Sequence, residues 1–170
     1  MTLHLVRHGR PAMTPGVPAA TWDLDPTAYD DVWALRSSGL LPSRAAWFTS
    51  PEPKAVQTAQ LLSDAEVGVL DDLREHERTG EWVDDFVGAV RRAFEHPDVA
   101  ALDGWEPLDA CRERVVAAVR RVLDVHGSDD VVLVGHGTAW TLVVADLTGE
   151  PPDLERWAGL AMPDLLVVDV

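Results

Sequence analysis

Two histidines sit where apolar, β-branched runs end, and each is followed by glycine: LVRHGRP at residues 5–11 and LVGHGTA at residues 133–139. Imidazole is well suited to act as a nucleophile or to exchange a proton near neutral pH. Arg7 stands directly before His8, and a guanidinium beside an imidazole is a poor arrangement inside a protein unless an anion lies between them. Arginine is also the preferred two-toothed binder of phosphate and carboxylate oxygens. Two histidines and an arginine brought together would therefore make a phosphate site. Taken singly, each has a plainer reading as a structural histidine or a solvated arginine, so the inference depends on their convergence.

Convergence is a question of fold. Five short apolar runs read as strands: LHLV at the start, AAWFTS around Trp47, EVGVL around Val67, VVLVG from Val131 and LLVVDV at the end. Their apolar residues are nearly continuous, as expected of strands covered on both faces. Helical patterns fill 53–63, 82–95, 106–126 and 139–147, with a shorter one at 29–36. The clearest is 106–126, where Leu108, Cys111, Val115, Val119 and Val122 recur at three- and four-residue steps. This alternation predicts an α/β protein, a three-layer α/β/α sandwich with a mainly parallel central sheet. Ligands of such sheets bind beyond the carboxyl ends of the strands, where helix N-termini attract anions. Both His-Gly pairs fall at such ends, so His8 and His136 share one crevice if the first and fourth strands are neighbours. Thr138 is a candidate cap for the helix after His136. The Pro-rich stretch after His8 reads as a long loop reaching to about Asp31.

A length of 170 residues fits one domain over 1–170. With 46% hydrophobic and 25% charged residues the composition is that of a soluble globular protein, and a cytoplasmic location is expected. No apolar run approaches the ~20 residues of a membrane span, and the start lacks the basic region of a signal peptide. The single Cys111 has no internal disulfide partner and falls on an apolar helical position, which points to core packing. Lys and Arg number 14 against 29 Asp and Glu, a net charge of −15 that disfavours nucleic acid and anionic membranes as partners. The same field opposes any anionic substrate, so a local basic pocket has to overcome it.

At LVRHG the sequence resembles the histidine phosphatase superfamily, the phosphoglycerate-mutase-like proteins, whose signature is Arg-His-Gly at the end of the first strand. TSPEPKAVQTA (49–59) is similar to the family's Ser-Pro-x-x-Arg-Ala-x-Gln-Thr-Ala helix start. LREHERTGEW (73–82) is similar to its Leu-x-Glu segment with a following Gly and Trp, and LVGHGT to its second His-Gly. The four matches run in the family's order across most of the chain. The resemblance implies a phosphoglycerate-mutase-like fold and a metal-independent phosphomonoester hydrolase, a phosphatase working through a phosphohistidine on His8. It also implies that Arg7, Lys54 and His136 hold the phosphate oxygens and that Glu75 gives a proton to the leaving group. Elementary chemistry agrees, since phosphoryl transfer needs positioning, charge stabilisation, a neutral imidazole and an acid for a poor alkoxide. No cofactor is implied, and no metal-ligand spacing stands out. The expected partner is a small phosphorylated substrate, with a phosphoprotein as the alternative; the oligomeric state is not legible.

Four departures from the family pattern bear on function. Lys54 replaces a planar two-toothed donor with a point charge, which motivates an alternative reading as a phospho-ligand-binding pseudo-phosphatase. Arg10 and Pro11 stand where Glu-Thr is common, adding a positive charge that either favours an acidic substrate or is simply solvated. Thr14 lies near the place of an Asn phosphate ligand. The chain is also shorter than the cofactor-dependent mutases, which favours hydrolysis over phosphomutase chemistry. Glu77 and Glu81 flank the proposed acid, and Glu75 is preferred for its spacing from Leu73. Glu106 resembles a family Glu but is equally a helix-start charge. Trp22, Trp82 and Trp105 are candidates for an apolar substrate wall or for the core.

Overall fold

A computed structural model describes residues 1–79 and 82–170, so Glu81 lies outside the described residues. The five apolar runs form β1 (Thr2–Arg7), β2 (Ala46–Thr49), β3 (Val67–Val69), β4 (Val131–Gly135) and β5 (Asp164–Asp169). They make one sheet in the order β3-β2-β4-β1-β5, parallel except for β5, which runs antiparallel to β1 at the edge.

Continuous apolar strands follow from helices on both faces. Successive side chains of a strand point to opposite faces. Leu3 and Leu5 of β1 and Val131 and Leu133 of β4 pack with residues of α4 (Leu108–Val125) and α5 (Gly137–Thr148). Val6, Val132 and Val134 pack on the other side with α1 (Tyr29–Ser37) and α2 (Pro53–Leu62). The result is a three-layer α/β/α sandwich with a mainly parallel sheet, and β1 and β4 are central neighbours.

Two features of this core matter for the site. Residues 137–143 of α5 are all buried, so the helix that starts after His136 is held inside the protein. The Trp140 indole N–H donates to the Val6 carbonyl at 2.8 Å, fastening the first turn of α5 to the end of β1.

Boundaries differ from the sequence reading in places. The helix expected from residue 82 is α3 (Phe86–Glu95), because the Asp85 carboxylate caps it by accepting from the Gly88 N–H at 3.0 Å. The Pro-rich stretch is not structureless. It contains short 3-10 turns at Ala19–Thr21 and Pro26–Ala28, its Pro11 and Leu24 backbones form a bridge, and Leu24 and Ala28 are buried. A six-residue helix, α6 (Leu154–Gly159), was not anticipated; it brings Trp157 against Trp105, Ala89 and Val90. Among the described residues, no helix is long and apolar enough to cross a membrane.

Candidate active site

Arg7 is paired with Gly135 across the β1–β4 ladder, so His8 and His136 emerge side by side. The His8 N–H still bonds the Gly135 carbonyl at 2.9 Å, and the Ser50 N–H, one residue past β2, bonds the Val134 carbonyl at 3.0 Å. Three strand ends thus gather one histidine each from β1 and β4 and one serine from β2. The imidazoles are both buried, edge to face, with ring centroids 5.2 Å apart. Close approach explains the glycines that follow them. A side chain on Gly9 would begin 2.7 Å from Leu24 Cδ1 and 2.9 Å from Val32 Cγ2, and one on Gly137 would begin 3.3 Å from Arg7 Nε.

His8 is prepared as a neutral base. Its Nδ1 lies 2.7 Å from the Gly9 carbonyl, which can only accept, so Nδ1 carries the proton and the Nε2 lone pair is bare. Burial, joined by His136, Lys54 and Arg7 and opposed by the Gly9 carbonyl, holds its pKa well below the ordinary histidine value. His136 is pushed down to about 3, by burial above all; Lys54, Arg78 and Arg7 add to this and Glu75 opposes it.

His136 Nε2 sits 2.6 Å from Ser50 Oγ and 3.4 Å from Glu52 Oε1. Among the described residues its Nδ1 is buried with no partner, and so is Arg7 Nε, although Arg7 Nη1 donates to the Leu160 carbonyl at 2.6 Å. Two orphaned buried polar atoms beside a bare imidazole nitrogen are costly unless a ligand meets them.

Lys54 lies in the first turn of α2, behind Pro53, and is buried. Its ammonium donates to Glu52 Oε2 at 2.5 Å and to the Ala19 carbonyl at 2.6 Å. Glu52 Oε1 accepts from the Glu75 N–H at 2.9 Å, so one carboxylate joins α2 to the segment that carries Glu75. Sequence reasoning missed Glu52. It occupies a variable place inside the TSPEPKAVQTA motif, and only its position two residues before Lys54 could have drawn notice.

Glu75 follows a short 3-10 turn at Asp71–Leu73 and folds back on α5. Oε1 accepts from the N–H groups of His76 (2.9 Å) and Ala139 (3.0 Å), and Oε2 accepts from that of Thr138 (3.1 Å). Burial would raise its pKa, but Arg78, His136 and the His76 and Thr138 N–H groups outweigh that and hold it at about 2. Glu75 therefore does the capping expected of Thr138. His136 occupies the N-cap place, without a side-chain cap bond, and Thr138 lies two residues past it, inside the helix, where it cannot cap. The Thr138 hydroxyl instead accepts from Arg78 Nη2 at 2.7 Å and from the Trp157 indole at 3.2 Å.

Arg78 is the second residue that sequence reasoning missed, because nothing in the motif spacing distinguishes it from a surface charge. Its Nε donates to His76 Nδ1 at 3.2 Å, and its guanidinium carbon lies 4.9 Å from the Phe86 ring centroid and 5.2 Å from that of Trp105. Trp105 is thus a buried packing partner, whereas Trp82 is exposed. The remaining candidates lie apart. Thr14 is in an exposed turn whose carbonyl accepts from the Val17 N–H at 3.1 Å. Arg10 donates to Thr27 Oγ1 at 3.0 Å, and Glu106 accepts from Arg114 at 2.7 Å and from the Glu77 N–H at 2.8 Å, fastening the Glu75 segment to α4. Among the described residues, no group of three or more His, Cys, Asp or Glu side chains is arranged to hold a metal ion.

Solved structures with this arrangement of elements are numerous. YhfR of Bacillus stearothermophilus superimposes with a TM-score of 0.77 at 22% identity, over 99% of this chain and 91% of that one. A mycobacterial glucosyl-3-phosphoglycerate phosphatase superimposes with a TM-score of 0.77 at 19% identity, over 98% and 88% of the two chains. The alpha-ribazole phosphatase of Shigella flexneri does so with a TM-score of 0.73 at 20% identity, over 100% and 91%. At these identities the likeness is one of fold. No curated protein matches the chain. The family model of the histidine phosphatase superfamily (branch 1) matches residues 3–169, and the chain belongs to that superfamily.

Proposed function

We propose that the protein is a metal-independent phosphomonoester hydrolase that passes the phosphoryl group through His8. The observation that carries this reading is a neutral imidazole, with Nδ1 committed to the Gly9 carbonyl, in a site with two buried atoms that lack partners among the described residues, Arg7 Nε and His136 Nδ1. In the first step His8 Nε2 forms a bond to phosphorus while the bond to the leaving oxygen breaks, and Glu75 gives that oxygen a proton. In the second step water attacks the phosphohistidine, Glu75 takes a proton from it, the N–P bond breaks, and phosphate leaves. Arg7 and Lys54 offset the charge on the phosphoryl oxygens and neutral His136 helps to hold them, which is most of what phosphoryl transfer asks of a protein. Two of the proteins that share the fold are named as phosphatases of phosphorylated small molecules, in keeping with this substrate class.

Glu75 is held as an anion by its surroundings and must gain a proton before it can act as an acid. A bound phosphoryl dianion, competing with Glu75 for the same cations, supplies the electrostatic push for that gain. The test is hydrolysis of p-nitrophenyl phosphate and ethyl phosphate in excess chelator. Wild type is expected to hydrolyse both and His8→Ala neither. Glu75→Gln is expected to lose about 10²–10⁴-fold on ethyl phosphate, which needs an acid, and far less on p-nitrophenyl phosphate, which does not. Equal losses on the two substrates would remove Glu75 from the acid role. Activity surviving in His8→Ala would overturn the reading.

A second reading, a phospho-ligand-binding protein with little turnover, draws on the Lys54 ammonium being occupied by Glu52 and the Ala19 carbonyl. Tight phosphate binding without hydrolysis, with turnover gained in Lys54→Arg, would favour it.

A further inference from the structure

Cations withdrawn from water here divide into those that touch a carboxylate and those, such as Arg7, that touch none among the described residues. Lys54 touches Glu52, and Arg114 touches Glu106 at 2.7 Å. Half-buried Arg78 is of the second kind: among the described residues its guanidinium is held by neutral groups only, the Thr138 hydroxyl, His76 Nδ1 and the faces of Phe86 and Trp105. The carboxylate that would be its counter-ion, Glu75, spends both oxygens on the backbone of His76, Thr138 and Ala139. A guanidinium withdrawn from water without a touching anion is unfavourable, and a protein of net charge −15 has no shortage of carboxylates to offer it. The hydrogen bonds and the two rings fix the plane of the guanidinium, and among the described residues no hydrogen bond is made by Nη1. Arg78 itself is only half-buried, and Phe86 against it is 40% exposed.

The place of Arg78 relative to the chemistry follows from Thr138. Glu75 takes the Thr138 N–H and Arg78 the Thr138 hydroxyl, so the two charged groups hang from one residue at the start of α5. A leaving oxygen that meets Glu75 therefore has Arg78 as a neighbouring cation for its own substituents. We propose that Arg78 determines specificity by receiving a second anionic group, carboxylate or phosphate, on the leaving portion of a phosphomonoester. The proposal rests on the hydrolase reading for the orientation of the substrate. None of the matched motifs assigns this position a role.

Three two-carbon phosphomonoesters separate the possibilities: ethyl phosphate with no second charge, phosphoglycolate with a carboxylate, and ethylene glycol bisphosphate with a second phosphate. Calorimetric binding to full-length His8→Ala protein in chelator reads recognition without turnover. Phosphoglycolate or the bisphosphate is expected to bind about tenfold or more tighter than ethyl phosphate, the size of one charge-assisted hydrogen-bonded contact. Whichever of the two gains identifies the second group. In His8→Ala/Arg78→Gln the gain should fall to within about twofold, and Arg78→Lys, which keeps the charge but not the fork, should keep part of it. The absence of any gain in the protein that retains Arg78 overturns the proposal, even if the Arg78 variants do not fold. An undiminished gain in Arg78→Gln overturns it as well. If the gain is present but wild type hydrolyses none of the three esters, the hydrolase reading falls and the recognition role of Arg78 stands.

Discussion

Five ionised side chains set the charge of the phosphoryl pocket: Arg7, Lys54 and Arg78 against Glu52 and Glu75, a balance of +1 with both histidines neutral. A phosphoryl dianion would turn that balance negative. Glu52 is the residue most directly in the way, because it holds the ammonium that the phosphate would otherwise engage. Glu52→Gln keeps an acceptor for the Glu75 N–H but removes the charge. Inorganic phosphate is then expected to bind about tenfold tighter by calorimetry. Without phosphate the same variant should be less stable, since breaking a buried ion pair costs about 3–5 kcal/mol, and saturating phosphate should restore most of the loss in Tm. Unchanged affinity would show that Glu52 does not compete for the phosphoryl site. At this scale the sequence was informative where types recur at fixed spacing, as with Arg7, His8 and His136. It was uninformative for Glu52 and Arg78, whose placement depends on which element each side chain meets.

Elements position these side chains through two joints. One is the β1–β4 register, which sets His8 beside His136, and the other is the start of α5, where Glu75, Thr138 and Trp140 tie the helix to its surroundings. Gly9 tests the first joint. A methyl group there meets Leu24 and Val32 inside van der Waals distance, and overpacking of this kind costs about 1–3 kcal/mol. Gly9→Ala should therefore lower Tm by about 2–4 °C for each kcal/mol and reduce turnover by displacing His8. Thermal unfolding and hydrolysis measured together check this, and full stability with full activity would contradict the packing. The strands were legible because near-continuous apolar runs have few alternatives in a sheet covered on both faces. The start of α3 was less so, because the apolar pattern continues past the Asp85 cap, and α6 is too short to show a period.

For the whole molecule, the buried histidines and the acidic surface act in opposite directions as pH changes. His4, His8, His76 and His136 all titrate below their ordinary value, with burial the leading cause in each. Such a group binds its proton more readily once unfolded. Its contribution to stability is complete above the unfolded value of about 6.5 and is lost as pH falls toward the folded value, which for His136 is about 3. Glu75 adds a loss between its ordinary value of 4.5 and about 2. Relief of the −15 charge on acidification opposes this, but surface repulsion is largely screened beyond the Debye length of about 8 Å at physiological salt. Tm at 0.15 M salt should therefore fall between about pH 7 and pH 5; a rise would mean that surface repulsion dominates. The charge excess and the sandwich architecture were both readable in the sequence, whereas the joint burial of these histidines is a property of the packed structure. The most direct measurement is chemical trapping: acid-quench avoided, wild type mixed with a reactive labelled phosphomonoester in chelator, denatured in alkali and mapped by mass spectrometry. The expected result is a base-stable, acid-labile phosphoryl group on His8, absent from His8→Ala. Hydrolysis with no phosphohistidine at His8, or with the label on another residue, would contradict the proposed mechanism.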